Sequence, residues 1–144
     1  MSDGIRHILV LANETVAGRS LLDALRERAD KGPIRVTVVC PQNAPRAGYV
    51  VYEDERRSAA ERRLRRTLDL LHEAGIAARG AVVDPDPVAA AVNAVHDERV
   101  DEIILSTFPQ ATSGWLRRDV PERIRKETKL PLTHVIVEPA EAKV

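Results

Sequence analysis

The chain is poor in the features that most directly announce a specialised protein. It has one cysteine, Cys40, so no disulfide can form within it. Its four histidines, His7, His72, His96 and His134, are scattered, and none stands at a ligand-like spacing from Cys40, which leaves no metal motif. There is no excess of charge of either sign: 22 basic residues meet 22 acidic ones. That balance argues against a general binder of nucleic acid, which needs a basic surplus. The apolar runs fall far short of the roughly 20 residues that cross a bilayer, and Met1 to Ala12 has no signal-peptide cleavage pattern. The expectation is a cytoplasmic chain with no membrane and no nucleic-acid partner. Motifs of catalysis are missing too. No serine sits in a G-x-S-x-G elbow, and neither a P-loop nor a G-x-G-x-x-G occurs.

What is present is an ordered alternation of apolar strand-length runs and helix-periodic stretches. With 144 residues and 44% hydrophobic content, the chain fits one domain over 1–144 with a real core. Strands are expected at Ile8–Ala12, Ile34–Cys40, Ala77–Val83, Glu102–Ser106 and Thr133–Val137. Residues 15–29 predict a helix with Leu21, Leu22, Leu25 and Ala29 on its inner face. Residues 53–74 predict a long one, with Ala60, Leu64, Thr67, Leu68 and Leu71 inside. Six arginines crowd between Arg56 and Arg66, but interleaved acids such as Glu61, four before Arg65, mark a solvated face. Gly75 stands where a C-cap belongs. Asp86 and Pro87 read as the N-cap and first residue of a third helix, with Val88, Ala91, Val92 and Val95 buried. Asp119-Val120-Pro121-Glu122 reads as a capping-box-like start to a fourth helix running to Thr128. Residues 138–144 look like a frayed tail.

The order βαβαβαβαβ with short linkers implies α/β architecture: a parallel sheet with helices on both faces. In such sheets ligands bind beyond the carboxyl ends of the strands, where strand order reverses and helix N-termini favour anions. If strand 4 neighbours strand 1, the crevice is lined by Asn13, Glu14 and Thr15 to Gly18 on one side and by Thr107 to Asp119 on the other. Periodicity does not supply that neighbourhood.

Several segments together resemble the universal stress protein family. They are ILVLANET at the end of the first strand, the long charged second helix, VVDPDPVAAAVNAVHDERVDEIILS, and VPERIRKETKLPLTHVIV. The resemblance runs from Arg6 to Val137. It implies a flavodoxin-like three-layer sandwich, with a five-stranded parallel sheet of order 3-2-1-4-5 and four helices. It also implies a homodimer formed through the last strand, with Thr133, His134, Val135, Ile136 and Val137 at the interface, and a role in stress adaptation. Many members of the family bind ATP through a pattern of Gly, two residues, Gly, about nine residues, then Gly and Ser or Thr. Glycines there let the backbone approach phosphates, and the hydroxyl caps the last helix.

This chain departs from that pattern. Its equivalent stretch runs from Ser106 and Thr107 through Phe108 and Pro109 to Arg118 and Asp119. Phe108 and Pro109 bring bulk and a missing N–H to the place where close approach is wanted. Asp119 would set a carboxylate against a phosphate unless a cation such as Mg²⁺ intervened. Against this, Arg117, Arg118, Arg123, Arg125, Lys126 and Lys129 outnumber Asp119, Glu122 and Glu127 between Trp115 and Leu130. Arg117 and Arg118 offer guanidinium forks to an anion.

The candidate ligand-binding residues are therefore Asn13, Glu14, Thr15, Cys40, Ser106, Thr107, Thr112, Ser113, Gly114, Arg117, Arg118 and Asp119. Each has a plainer reading beside it. Cys40 is a small buried hydrophobe, Asp119 a helix cap, Arg117 and Arg118 surface residues paired with acids, and Trp115 a packing residue. No residue pairs a nucleophile with a base, so the chain reads as non-catalytic, with weak nucleotide hydrolysis as the enzymatic alternative. A phosphoacceptor receiver is a further possibility, but Glu14 stands alone after strand 1 and Glu138 occupies the place of the required lysine. Two functional expectations follow. One is a module acting through its dimer and an unidentified protein partner. The other is a nucleotide or anion sensor taking an ATP- or AMP-like ligand at the crevice.

Overall fold

The five apolar runs become five parallel strands, β1 (Arg6–Ala12), β2 (Ile34–Pro41), β3 (Ala78–Val83), β4 (Glu102–Thr107) and β5 (Leu132–Ile136). They are joined through α1 (Arg19–Asp30), α2 (Glu53–Glu73), α3 (Pro87–Asp97) and α4 (Val120–Thr128). The structure is a computed structural model. It describes residues 4–12, 18–41, 53–83, 86–108 and 119–137, with backbone alone for 53–57. The strand order is β3-β2-β1-β4-β5, as the family resemblance implies.

Strand alternation sorts the core into two layers. Ile8, Val10 and Ala12 of β1, with Val36, Val38 and Cys40 of β2, face Leu21 and Leu25 of α1 and Leu64 and Leu71 of α2. Leu9, Leu11, Val39, Ile103 and Leu105 face Val88 and Ala91 of α3 and Val120 and Ile124 of α4. The central strands β1 and β4 are buried on both faces, which is why they read as unbroken apolar runs rather than alternating ones. Each fully buried leucine or isoleucine contributes about 1.5–3 kcal/mol.

The punctuation residues behave as their chemistry requires. Gly75 adopts φ +78°. The Ile76 N–H donates to the Leu71 carbonyl at 2.9 Å and the Gly75 N–H to His72 at 3.0 Å, which ties off α2. The Asp86 carboxylate accepts from the backbone N–H groups of Val88 and Ala89, and Pro87 follows it.

Two expectations are corrected. Ala29 is exposed. The inner stripe of α1 runs from Leu21 and Leu25 to Arg28 instead, because the Arg28 side chain is drawn inward by a buried carboxylate, Glu102. Asp119 precedes α4 but does not cap it. It sits in the left-handed region (φ 59°, ψ 35°), and its side chain makes no cap hydrogen bond. Aspartate tolerates that region better than most residues do, so Asp119 serves the turn rather than the helix end.

Candidate functional site

β1 and β4 lie side by side and parallel, with Ala12 opposite Ser106. The strand order therefore reverses between them, and the condition that opens a crevice beyond their carboxyl ends is met. Of the candidates, Asn13, Glu14, Thr15, Thr112, Ser113, Gly114, Arg117 and Arg118 lie outside the described residues, as does Trp115. The structure places Cys40, Ser106, Thr107 and Asp119.

Cys40 is 3% exposed and belongs to the core layer under α1 and α2. Burial pushes its thiol up to about 11, against a weaker pull from Arg63. It is neutral at physiological pH and fills space as an apolar group. Ser106 and Thr107 end β4 and are fully buried. The Thr107 hydroxyl donates to the Phe108 carbonyl at 2.8 Å. Its one proton is thus committed, so the 2.7 Å contact with His134 Nε2 requires the ring to donate. Burial, with the nearby Arg125 charge, holds the His134 imidazole below its ordinary range, and the ring is neutral at pH 7. The Val137 N–H donates to the Thr107 carbonyl at 2.8 Å. His134 and Val137 thereby add one side-chain bond and one backbone bond to the β4–β5 ladder at Thr107. His134 is a packed histidine, and its packing fixes Thr107 at the mouth of the crevice.

Among the dimer-interface candidates, Thr133, His134 and Val135 are half-buried on β5, and Val137 is fully buried within the chain. Ile136 is 43% exposed and is the one exposed large hydrophobic residue among those described. β5 ends the sheet on this side, so its outer edge has no strand beside it in the described structure.

The opposite end of the sheet holds two polar clusters that the sequence did not announce. In the first, Glu102 Oε1 accepts from Arg6 Nε and from Arg28 Nε, each at 2.8 Å. In the second, the buried His7 donates from Nδ1 to the Arg99 carbonyl at 2.7 Å and sets Nε2 2.8 Å from the Thr37 hydroxyl. Thr37 in turn donates to Glu98 at 3.2 Å, and Glu98 pairs with Arg79. These partners lie 19 to 96 residues apart in sequence, and no local pattern joins them. The only hint was a charged or polar residue at the start of an otherwise apolar strand. Groups of histidine, cysteine, aspartate and glutamate that could hold a metal are absent among the described residues. No described helix is long and apolar enough to cross a membrane.

No model of a known protein family matches the sequence, and no curated protein does. Solved structures do match. A universal stress protein from Archaeoglobus fulgidus in complex with dAMP is 16% identical, with a TM-score of 0.63 over 89% of this chain and 96% of that one. The chain has the fold of the universal stress proteins. A universal stress protein family member from Burkholderia pseudomallei is 19% identical, with a TM-score of 0.61 over 90% of this chain and 96% of that one. A universal stress protein from Arabidopsis thaliana with AMP bound is 15% identical, with a TM-score of 0.58 over 94% of each chain. Coverage at this level means that the universal stress protein fold accounts for the whole described sheet. The low identity explains why the likeness lies in the architecture and is thin in the individual motifs.

Proposed function

We propose that this protein is a divergent, non-catalytic universal stress protein that takes an adenine nucleotide at the β1/β4 crevice and acts as a cytoplasmic homodimer on protein partners. The observation that carries the nucleotide reading is the parallel pairing of Ala12 with Ser106 at the point of strand reversal. Two proteins of the same fold have dAMP or AMP bound. A monophosphate suits this chain better than ATP does. The missing glycines are those that admit a polyphosphate to the backbone, and Phe108 and Pro109 replace them. A single phosphate needs only one anion-holding group, which Arg117 or Arg118 supplies without Mg²⁺. The absence of catalysis fits Thr107, whose hydroxyl proton is spent on the Phe108 carbonyl.

Titration of the purified protein with AMP, cyclic AMP, ADP and ATP, with and without Mg²⁺, tests the reading. The fluorescence of Trp115, the only tryptophan, and the melting midpoint are the two signals. AMP is expected to shift both saturably and to bind more tightly than ATP. A ligand at about 100 Kd adds roughly 2.7 kcal/mol, so a true site is visible in the melt. Combining Arg117→Ala with Arg118→Ala should abolish both signals. Silence at millimolar nucleotide would discard the nucleotide reading and leave the dimeric module.

The homodimer is supported by the open β5 edge and by Ile136 exposed on it. A dimer at micromolar concentration is expected in sedimentation. The Val137 N–H points inward to β4, so the Ile136 N–H points out of that edge; Ile136→Pro removes it and should give monomers. A wild-type monomer at that concentration would remove the proposal.

A further inference from the structure

The proposed nucleotide crevice lies at the carboxyl ends of the strands; at the opposite end the described structure has a hollow between the starts of β2 and β3. It measures about 320 Å³ and is lined by Arg35, Val36, Thr37, Ala77, Ala78 and Arg79. That volume falls at the small end of ligand pockets, which run from roughly 300 to 1,000 Å³. The hollow has a simple origin. Thr37 pairs with Arg79 across the ladder, so both project from the face that also carries Val39 and α3. The polar cluster of His7, Thr37 and Glu98 ties the end of α3 to β1 and β2. β3 lies beyond it at the sheet edge, with Arg79, Gly80 and Ala81 exposed. The Ala77 side chain is too short to fill the corner.

The charges around this corner do not balance. Arg79 is answered by Glu98. Arg35 is exposed and has no carboxylate partner among the described residues, and no carboxylate lines the hollow. A helix C-terminus attracts cations, and that accounts for Arg79 beside the end of α3, but Arg35 lies on a strand. The Ala77 methyl and the strand floor, with two guanidinium groups at the rim, form an amphipathic receptor. A guanidinium keeps donors free after one ion pair and matches a carboxylate in a two-pronged geometry.

We propose that the hollow between β2 and β3 is a second site, which takes a small organic carboxylate with an apolar body. The carboxylate bridges Arg35 and the free edge of Arg79, and the body lies against Ala77 and the strand backbone of the floor. Thr37 does not hold the anion, because its hydroxyl lies between His7 Nε2 and Glu98 Oε2 and donates to the carboxylate.

Benzoate is the probe, followed by amide shifts of β2 and β3 in NMR titration. Acetate supplies the head alone and benzyl alcohol the body alone. Saturable binding of benzoate at least tenfold tighter than either is expected. Arg35→Gln should weaken it at least tenfold, whereas Arg35→Lys, which keeps the charge but not the fork, should lose less. Ala77→Leu fills the hollow, leaves both arginines in place and should abolish binding. These positions are exposed, so the fold survives the changes. Acetate binding as tightly as benzoate, or benzoate binding untouched by Ala77→Leu, would reduce the corner to unspecific surface charge and overturn the proposal. None of these readouts depends on the nucleotide crevice.

Discussion

Gly80→Ala is expected to destabilise the protein by about 3 kcal/mol, the upper part of the range for overpacking a filled site. Gly80 lies on β3 beneath α2 and pairs with Val38 of β2. A Cβ at this position would sit 2.5 Å from the Val38 carbonyl oxygen and 2.6 Å from Leu64 Cδ1. The leucine can rotate. The carbonyl belongs to the sheet backbone and moves only if the β2–β3 ladder moves. Elsewhere a glycine-to-alanine change stabilises a strand by about 0.4–1 kcal/mol through the unfolded chain, so the contact geometry decides the sign here. Urea midpoints at constant m-value measure the loss. In a double-mutant cycle with Leu64→Ala, the cost of Gly80→Ala should fall only in part, because the clash with the Val38 carbonyl persists. A loss below 1 kcal/mol for the single change would mean that the α2–β3 approach is looser than the structure has it.

Gly80 also shows why part of the fold is legible in the sequence and part is not. The strands and helices follow from period and punctuation: β-branched runs, the inner stripe of α2, Gly75 after it, and Asp86-Pro87 before α3. All of these are local. The tight contact at Gly80 involves Leu64, sixteen residues away, and Val38, forty-two residues away, and its sequence signal is only a glycine in a strand. Arg28 fails the period argument for the same reason. Ala29 fits an apolar stripe better, but the partner that draws Arg28 inward is Glu102 on another element. The Asp119 cap fails because a capping motif specifies composition and not φ, and this residue took the left-handed basin. At the crevice, the residue types suggested where a ligand would sit. Only the pairing of Ala12 with Ser106 decided that the strands leading into the two loops are neighbours.

Among the described residues, the polar clusters gather at the end of the sheet where the strands begin. His7, Thr37, Glu98 and Asp101 knit β1, β2 and the segment after α3 together. The His7 N–H donates to Asp101 Oδ2 and the Asp101 N–H returns to the His7 carbonyl, each at 2.8 Å. Such networks, fully satisfied, fix the relative positions of the elements they join.

Glu102 is a further joint at that end of the sheet, and Glu102→Gln is expected to cost about 3 kcal/mol at pH 7. The carboxylate side chain is 6% exposed and holds two guanidinium groups on one oxygen. Arg28, 18% exposed, also donates to the Ala24 carbonyl and to Thr133 Oγ1, so it cannot swing out to water when its counter-charge is removed. Breaking a buried pair from one side costs about 3–5 kcal/mol, and the lower figure applies because Arg6 is half exposed. The pH dependence separates charge from shape. Burial works to raise the Glu102 carboxyl, but the hydrogen bonds and charges of Arg28 and Arg6 outweigh it and hold the group below the ordinary carboxylate range. The folded state therefore binds fewer protons than the unfolded one through the acid region. The stabilisation is fully present above the unfolded carboxyl's value, about 4.3 for glutamate, and is lost as the pH falls through the folded value. Urea midpoints for the wild type and Glu102→Gln, taken from pH 7 down to pH 3, should lie far apart at neutrality and converge in acid. A gap of constant size across that range would show that the amide disturbs packing, and that the charge on Glu102 does not hold α1, β1, β4 and β5 together.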